Sequence, residues 1–173
     1  MSTGYLQVLT EQDLDWVLKI RNHPKVRGYM FNQKEIEIQE HLAWFQGMAN
    51  KSGVDLLLFL IDMKKSGFAQ IKDTKSSGVS NWGCYVDPDA PKGTGLKLGL
   101  AVIEYAFKIK KLHKICSQAL IGNEPSIKMH LALGFQQEGI LKDQYFDGNR
   151  YHDVICFGMV NQLSQKIMIG NIK

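Results

Sequence analysis

Val86-Asp87-Pro88-Asp89-Ala90-Pro91-Lys92-Gly93-Thr94-Gly95-Leu96-Lys97-Leu98-Gly99 is the stretch on which the reading of this chain turns. Before it, Ser80 to Val86 reads as a strand. After it, Leu96, Leu100, Ile103 and Phe107 recur at helical spacing, so the stretch links a strand to an amphipathic helix. Backbone N–H groups at a helix start lack intrahelical partners, and the helix dipole favours an anion beside them. Gly93 and Gly95 carry no side chains, so a diphosphate can approach the backbone closely, and Lys92 and Lys97 add positive charge. The segment fails two stricter patterns. No Gly-Lys-Ser/Thr follows at the offset of a P-loop. No acidic residue on a following strand is placed for a ribose, as the dinucleotide fingerprint requires.

Working outward, Tyr5 to Leu9 forms a first strand, and Thr10 with Asp13 makes a box-like helix start. That helix stops at Asn22-His23-Pro24, because proline disfavours helical geometry in the residue before it. A second helix is predicted over about Gln39 to Ala49, with Leu42, Phe45 and Met48 or Ala49 on one face. Leu56 to Asp62 is nearly all apolar and reads as a central strand. Phe68 to Thr74 follows, joined to Ser80–Val86 by the turn-like Lys75-Ser76-Ser77-Gly78. Ile115 to Leu120 is another strand. Pro125 to Leu133 is a short helix closed by Gly134, and two last strands meet at Asp147-Gly148. Tight turns imply antiparallel pairing, and the strand–helix–strand from Ser80 to Leu120 implies one parallel or crossover step. The expectation is one α/β (α+β) domain over residues 1–173, with its core over about 5–160 and a fraying tail over 162–173. Its sheet is mixed, largely antiparallel and flanked by about four helices, neither a Rossmann fold nor a TIM barrel.

Bulk composition narrows the function classes. A chain of 173 residues, 45% hydrophobic and 22% charged, suits a single domain with a real core. The net charge of +4 is mild and its cations are scattered, which argues against a nucleic-acid binder and suits a small anionic ligand. Cys84, Cys116 and Cys156 stand in apolar, strand-like stretches without a CxxC pair. They read as buried, reduced thiols of a cytoplasmic protein, and no metal is expected. The start, Met1-Ser2-Thr3-Gly4, lacks a signal pattern, and Leu56 to Ile61 is far too short to cross a membrane. The residues leave the oligomeric state open, a homo-oligomer included.

Lys92-Gly93-Thr94-Gly95-Leu96-Lys97 resembles the acyl-CoA signature of the GNAT acetyltransferase superfamily, in which Arg or Gln precedes two residues, Gly, one residue and Gly or Ala. Lys97 replaces the last small residue. Asn123-Glu124-Pro125-Ser126-Ile127, Leu133-Gly134-Phe135 and Glu138-Gly139 are similar to the family's second motif, and Tyr151-His152-Asp153 before a last strand fits as well. The resemblance covers roughly Leu6 to Met159. It implies acetyl-CoA as cosubstrate. The strand ending Tyr85-Val86 would splay from Ile115–Leu120 and pair with the pantetheine amides. Backbone N–H groups of Gly93, Thr94, Gly95, Leu96 and Lys97 would hold the pyrophosphate, with Lys92 beside them. Asn123 would hydrogen-bond the cofactor arm, with Ser126 nearby.

Arg21-Asn22-His23-Pro24, Tyr29-Met30-Phe31 and His41-Leu42-Ala43-Trp44-Phe45 resemble the aminosugar acetyltransferases of pseudaminic-acid synthesis (PseH-like). Those enzymes acetylate the 4-amino group of a UDP-linked amino-dideoxy sugar. A nucleotide-sugar pocket needs cations for the diphosphate and an apolar surface for the base. Arg21 and His41 would serve the diphosphate, Met30 and Phe31 the base, and His23 belongs to the same set.

Acetyl transfer needs a neutral amine and a proton for the leaving sulfur. The family often places a Tyr four residues before the Gly of its Gly-Phe pair. That position here is His130, which can donate a proton near neutral pH. Asp73, on a neighbouring strand, is the candidate base, with His23, His41 or a water relay as alternatives. A second reading has a protein N-terminal amine as acceptor, as in ribosomal-protein acetyltransferases. A third is an acyl-CoA-binding regulatory domain without turnover.

Overall fold

The computed structural model describes residues 4–162, so the expected frayed tail lies outside the described residues beyond that point. Seven strands form one sheet: β1 (Gly4–Val8), β2 (Val54–Ile61), β3 (Lys64–Asp73), β4 (Val79–Val86), β5 (Lys114–Leu120), β6 (Gln136–Phe146) and β7 (Tyr151–Val160). Their order is β1-β2-β3-β4-β5-β7-β6. Neighbours are antiparallel except β4 and β5, which run parallel on either side of the helical crossover. The helices are α1 (Leu14–Asn22), α2 (Pro24–Arg27), α3 (Ile38–Met48), α4 (Thr94–Glu104) and α5 (Glu124–Ala132).

The period of β2 explains the layering. Leu57 and Phe59 point to one face, where they pack with Ala69, Ile71, Leu98 and Val102. Leu56, Leu58 and Leu60 point to the other, where they pack with Leu14, Val17, Phe45 and Phe68. Side chains alternate along a strand, so a strand covered on both faces must be apolar throughout. The sheet therefore lies between an α1/α3 layer and an α4/α5 layer. Each fully buried Leu or Phe contributes roughly 1.5–3 kcal/mol against solvent exposure.

Three local readings need correction. Pro24 does not only end α1; it opens the single turn of α2, where its fixed φ and missing N–H are tolerated. In α3 the inward face is His41 and Phe45, and Leu42 is turned outward. In α4 the buried residues are Thr94, Leu98, Gly99 and Val102, while Leu96 and Leu100 are exposed. Apolar residues surround that helix, so periodicity picked the wrong stripe. A π-helical turn, Tyr105–Ile109, continues α4. It brings Tyr105 and Lys110 to Asp55, with a 2.5 Å ion pair from Lys110.

One irregularity of the sheet positions the site. The β4–β5 ladder holds only three pairs, Val79 with Lys114, Ser80 with Ile115 and Asn81 with Cys116. Past Asn81, β4 stays with β3 and β5 stays with β7, so the two strands diverge. The sheet is split from Trp82 onward.

Candidate active site

A cavity of about 1590 Å³ fills that split and continues toward α1–α3. Its walls include β4 from Asn81 to Val86, β5 from Ser117 to Leu120, and one side of α5. The start of α4 closes one end with Gly93, Gly95 and Leu96. Gly93 has φ +88°, which suits glycine, and it is the N-cap of α4. Not every N–H of this turn is available. Thr94 N–H donates to the Pro91 carbonyl at 3.2 Å, and Lys97 N–H to the Gly93 carbonyl at 3.1 Å. The Thr94 hydroxyl is buried and donates to the same Pro91 carbonyl at 2.7 Å. Thr94 and Lys97 thus shape the loop, which leaves the helix-start donors of Gly95 and Leu96 to face a ligand. Lys92, Thr94 and Lys97 do not line the cavity; Lys128 of α5, unmarked by any motif, does.

Asn123 caps α5, its Oδ1 accepting from the Ser126 N–H at 3.2 Å. Asn123, Ser126, Tyr85 and Val86 all reach the cavity wall. Burial holds the Tyr85 phenol well above its ordinary value, and the nearby Arg21 charge pulls the other way.

His130 also lines the cavity and is 3% exposed. Its ring stacks on Phe157 at 4.8 Å and meets Trp82 at 5.3 Å and Phe135 at 5.2 Å. Nδ1 lies 2.8 Å from the Ser126 carbonyl. A carbonyl only accepts, so Nδ1 carries the hydrogen, and Nε2 of the neutral ring is a bare acceptor. Burial pulls the imidazole below its ordinary value, with the Ser126 carbonyl opposing. The resting ring therefore accepts at Nε2; it must first gain a proton to give one.

Toward α1–α3 the cavity gathers Arg21, Met30, Phe31 and His41, with Lys25, Glu40 and Lys72. Arg21 is buried, and its Nη1 has no protein partner. His41 stacks on Trp44 at 5.0 Å; burial pulls its imidazole down, a hydrogen bond with the Leu14 backbone opposes, and Arg21 adds to the lowering. Phe31 packs edge-on against Tyr145 at 5.5 Å, tying the segment after α2 to β6.

Two expected residues lie elsewhere. His23 accepts from the Lys25 N–H as the N-cap of α2 and borders a separate surface depression with Asp15 and Glu35. Asp73 accepts from Ser80 Oγ at 2.8 Å and lies 3.8 Å from Lys110. That is the closed end of the β4–β5 fork, so Asp73 has no place in the cavity. Among the described residues no cluster of His, Cys, Asp and Glu is arranged to hold a metal ion. No helix among them is long and apolar enough to cross a membrane.

Residues 5–136 match the Acetyltransferase (GNAT) domain family. The SPbeta prophage-derived uncharacterized N-acetyltransferase YokL of Bacillus subtilis is 31% identical over 90 residues, 52% of this chain; the match spans 51%, about half, of that relative's length. The acetyltransferase PseH of Campylobacter jejuni is 25% identical over 122 residues, 70% of this chain and 76% of that protein. Among solved structures, the spermidine N-acetyltransferase of Vibrio cholerae in complex with CoA and spermine superposes with a TM-score of 0.84 at 19% identity, over 91% of this chain and 95% of that one. The ribosomal-protein-alanine N-acetyltransferase of Brucella melitensis gives 0.77 at 23%, over 90% and 99%.

Proposed function

This chain belongs to the GNAT acetyltransferase family, and from that premise we propose that it moves the acetyl group of acetyl-CoA to the 4-amino group of a UDP-linked amino-dideoxy sugar, of the 4-amino-4,6-dideoxy-N-acetyl-altrosamine type. The observation that carries the acceptor is Arg21: a buried guanidinium in the cavity wall with Nη1 unpartnered in the protein. A buried guanidinium is costly unless its donors find acceptors, and a diphosphate supplies them. The balance of charge agrees. The cavity is lined by Arg21, Lys25, Lys72 and Lys128 against the single carboxylate of Glu40. A polyamine or a basic peptide would meet repulsion there, and a nucleotide sugar would not.

In this reading Gly93, Gly95 and Leu96 hold the cofactor diphosphate, and Asn123 and Ser126 border the cofactor arm. Arg21 and His41 receive the sugar-nucleotide diphosphate, with Met30 and Phe31 against the base. Acetyl-CoA supplies the activated acetyl group, and the chain's contribution is alignment of the acceptor with it. Cys84, Cys116 and Cys156 are free thiols, consistent with work in a reducing cytoplasm.

Release of CoA from acetyl-CoA across UDP-aminosugars, spermidine and a basic peptide tests the proposal. Turnover with the aminosugar is the expected result. Turnover confined to spermidine or to the peptide would replace the acceptor, and tight CoA binding without any turnover would favour a regulatory domain.

A further inference from the structure

The two faces of the sheet differ where it splits. On the α4/α5 face the Trp82 ring packs against His130 at 5.3 Å and Phe135 at 5.7 Å, as part of the core. The next residue of β4, Gly83, belongs to the opposite face, because side chains alternate along a strand. Four glycines line the cavity: Gly28, Gly83, Gly93 and Gly95. Gly93 has φ +88°, and a Cβ on Gly28 or Gly95 would meet the Pro24 carbonyl at 3.2 Å or the Met129 sulfur at 3.4 Å. Gly83 has neither reason to be glycine. Its φ lies outside the left-handed region, and a Cβ there would meet no atom within 4 Å. Glycine weakens a strand interior, and it often marks a place where a ligand comes close to the backbone.

Register sets what surrounds this gap. Gly83 stands opposite Gln70 of β3, and Asn81 stands opposite Lys72. Phe68, two residues before Gln70, packs in the α1/α3 core, which fixes the face. Asn81 also pairs with Cys116 of β5, so Gln118, two residues on, shares that face. Gln70, Lys72, Asn81 and Gln118 all line the cavity. Among the described residues the Gln70 and Asn81 amides have no hydrogen-bond partner, and Gln118 donates only to the Cys156 sulfur at 3.6 Å. A carboxamide both donates and accepts, so Gln70, Asn81 and Gln118 suit a ring carrying hydroxyl and acetamido groups. Lys72 on the same floor repels a polycation. We propose that the sugar ring of the acceptor lies against β4 at Gly83, in the room left by the missing side chain, with Gln70, Asn81 and Gln118 reading its polar groups. The proposal rests on the aminosugar reading above. It adds the seat of the sugar ring and makes Gly83 the residue that limits what fits there.

Gly83→Ala and Gly83→Val test it. Steady-state kinetics with the UDP-aminosugar, calorimetry for CoA and thermal melts are run on the unaltered chain and on both variants. Gly83→Ala should raise KM for the aminosugar by about tenfold, and Gly83→Val should raise it further, as the added carbons overfill an occupied contact. The Kd of CoA should stay within about twofold. The Tm should hold or rise, because alanine suits a strand interior better than glycine and has open space here. A glycine kept only for packing would show the reverse, a lower Tm with KM unchanged. An unchanged KM in both variants overturns the proposal and leaves the aminosugar reading intact. Weakening of CoA in step with KM gives the gap to the cofactor and also overturns it. If the unaltered chain does not acetylate the aminosugar at all, that reading falls and this one with it.

Discussion

Arg21 donates a 2.6 Å hydrogen bond from Nη2 to the carbonyl of Asn32, and so fastens the segment after α2 to the end of α1. Asn22 makes a second tie, donating to and accepting from the backbone of Ile36 at 2.8 and 2.9 Å. One guanidinium nitrogen thus orders the segment while Nη1 is buried without a protein partner. Arg21→Ala should raise KM for the acceptor by about tenfold or more, from loss of a charge-assisted hydrogen bond, and leave the Kd of CoA unchanged. Steady-state kinetics in each substrate, with calorimetry for CoA, checks this. A rise in both constants alike would mean that Arg21 serves the fold alone.

Asp13 gives a prediction on stability. Its carboxylate accepts from the Thr10 N–H at 3.0 Å and the Thr10 hydroxyl at 2.7 Å, and pairs with Lys65 at 2.8 Å. Burial alone would raise the carboxyl, but the Lys65 and Thr10 hydrogen bonds outweigh it and hold it below the usual carboxylate range. A depressed folded value means that the unfolded chain binds the proton more readily. The contribution is present above about pH 4, the ordinary carboxylate value, and is lost as pH falls through the lower folded value. Asp13→Asn should cost about 1–3 kcal/mol near neutrality and flatten the acid limb of the stability curve. Urea melts of both proteins between pH 3 and 7 measure it; parallel curves would contradict it.

How far the residues disclosed this arrangement depends on where the signal lay. The strand–loop–helix passage from β4 to α4 was legible because glycines, a preceding strand and a following helix occur together in the sequence. The Asp147-Gly148 hairpin and the Gly134 cap, with φ +91°, were legible for the same reason: turn chemistry is local. The stripe of α4 was misread because Leu96 and Leu100 face the solvent beside the cavity, and only tertiary contact distinguishes them from Leu98 and Val102. Asp73 looked close to the cleft because it sits on a strand beside it. The fork opens at the other end of β4, and no sequence pattern records which end opens. Trp82 lines the cavity although an apolar residue in a strand reads as core, which it also is.

Gly67 on β3 shows how tightly the split is framed. A Cβ there would stand 2.5 Å from Leu98 Cδ1 and 3.1 Å from the Tyr85 carbonyl. Leu98 is fully buried and the carbonyl belongs to β4, so neither can move without shifting α4 or the cavity wall. Gly67→Ala should destabilise the protein by about 1–3 kcal/mol, the usual cost of overpacking. On the proposed reading of the cavity it should also weaken CoA binding, since Tyr85 lines that cavity. Thermal melts with and without CoA check both parts, and an unchanged Tm would show that β3 and α4 separate at little cost.

His130 offers the last prediction, in which pH separates its resting state from that of a standing proton donor. The ring is packed against Trp82, Phe135 and Phe157, and burial pulls its pKa below the ordinary imidazole value. With the folded value depressed, the unfolded chain gains the proton first on acidification. The neutral ring's contribution is therefore present above about pH 6.5 and is lost as pH falls through the folded value. His130→Phe removes this proton linkage and keeps an aromatic ring in the stack. Between pH 7 and 5 the unaltered protein should lose stability more steeply than His130→Phe does. Activity should follow the same logic: a relay that begins with bare Nε2 works with the neutral ring, so the rate should hold above neutrality and fall on the acid side. A standing donor would instead lose rate as pH rises through its pKa. Thermal melts and kcat measured across this range distinguish the two, and a rate that falls from pH 6 to 8 while binding is unchanged would return His130 to the donor role.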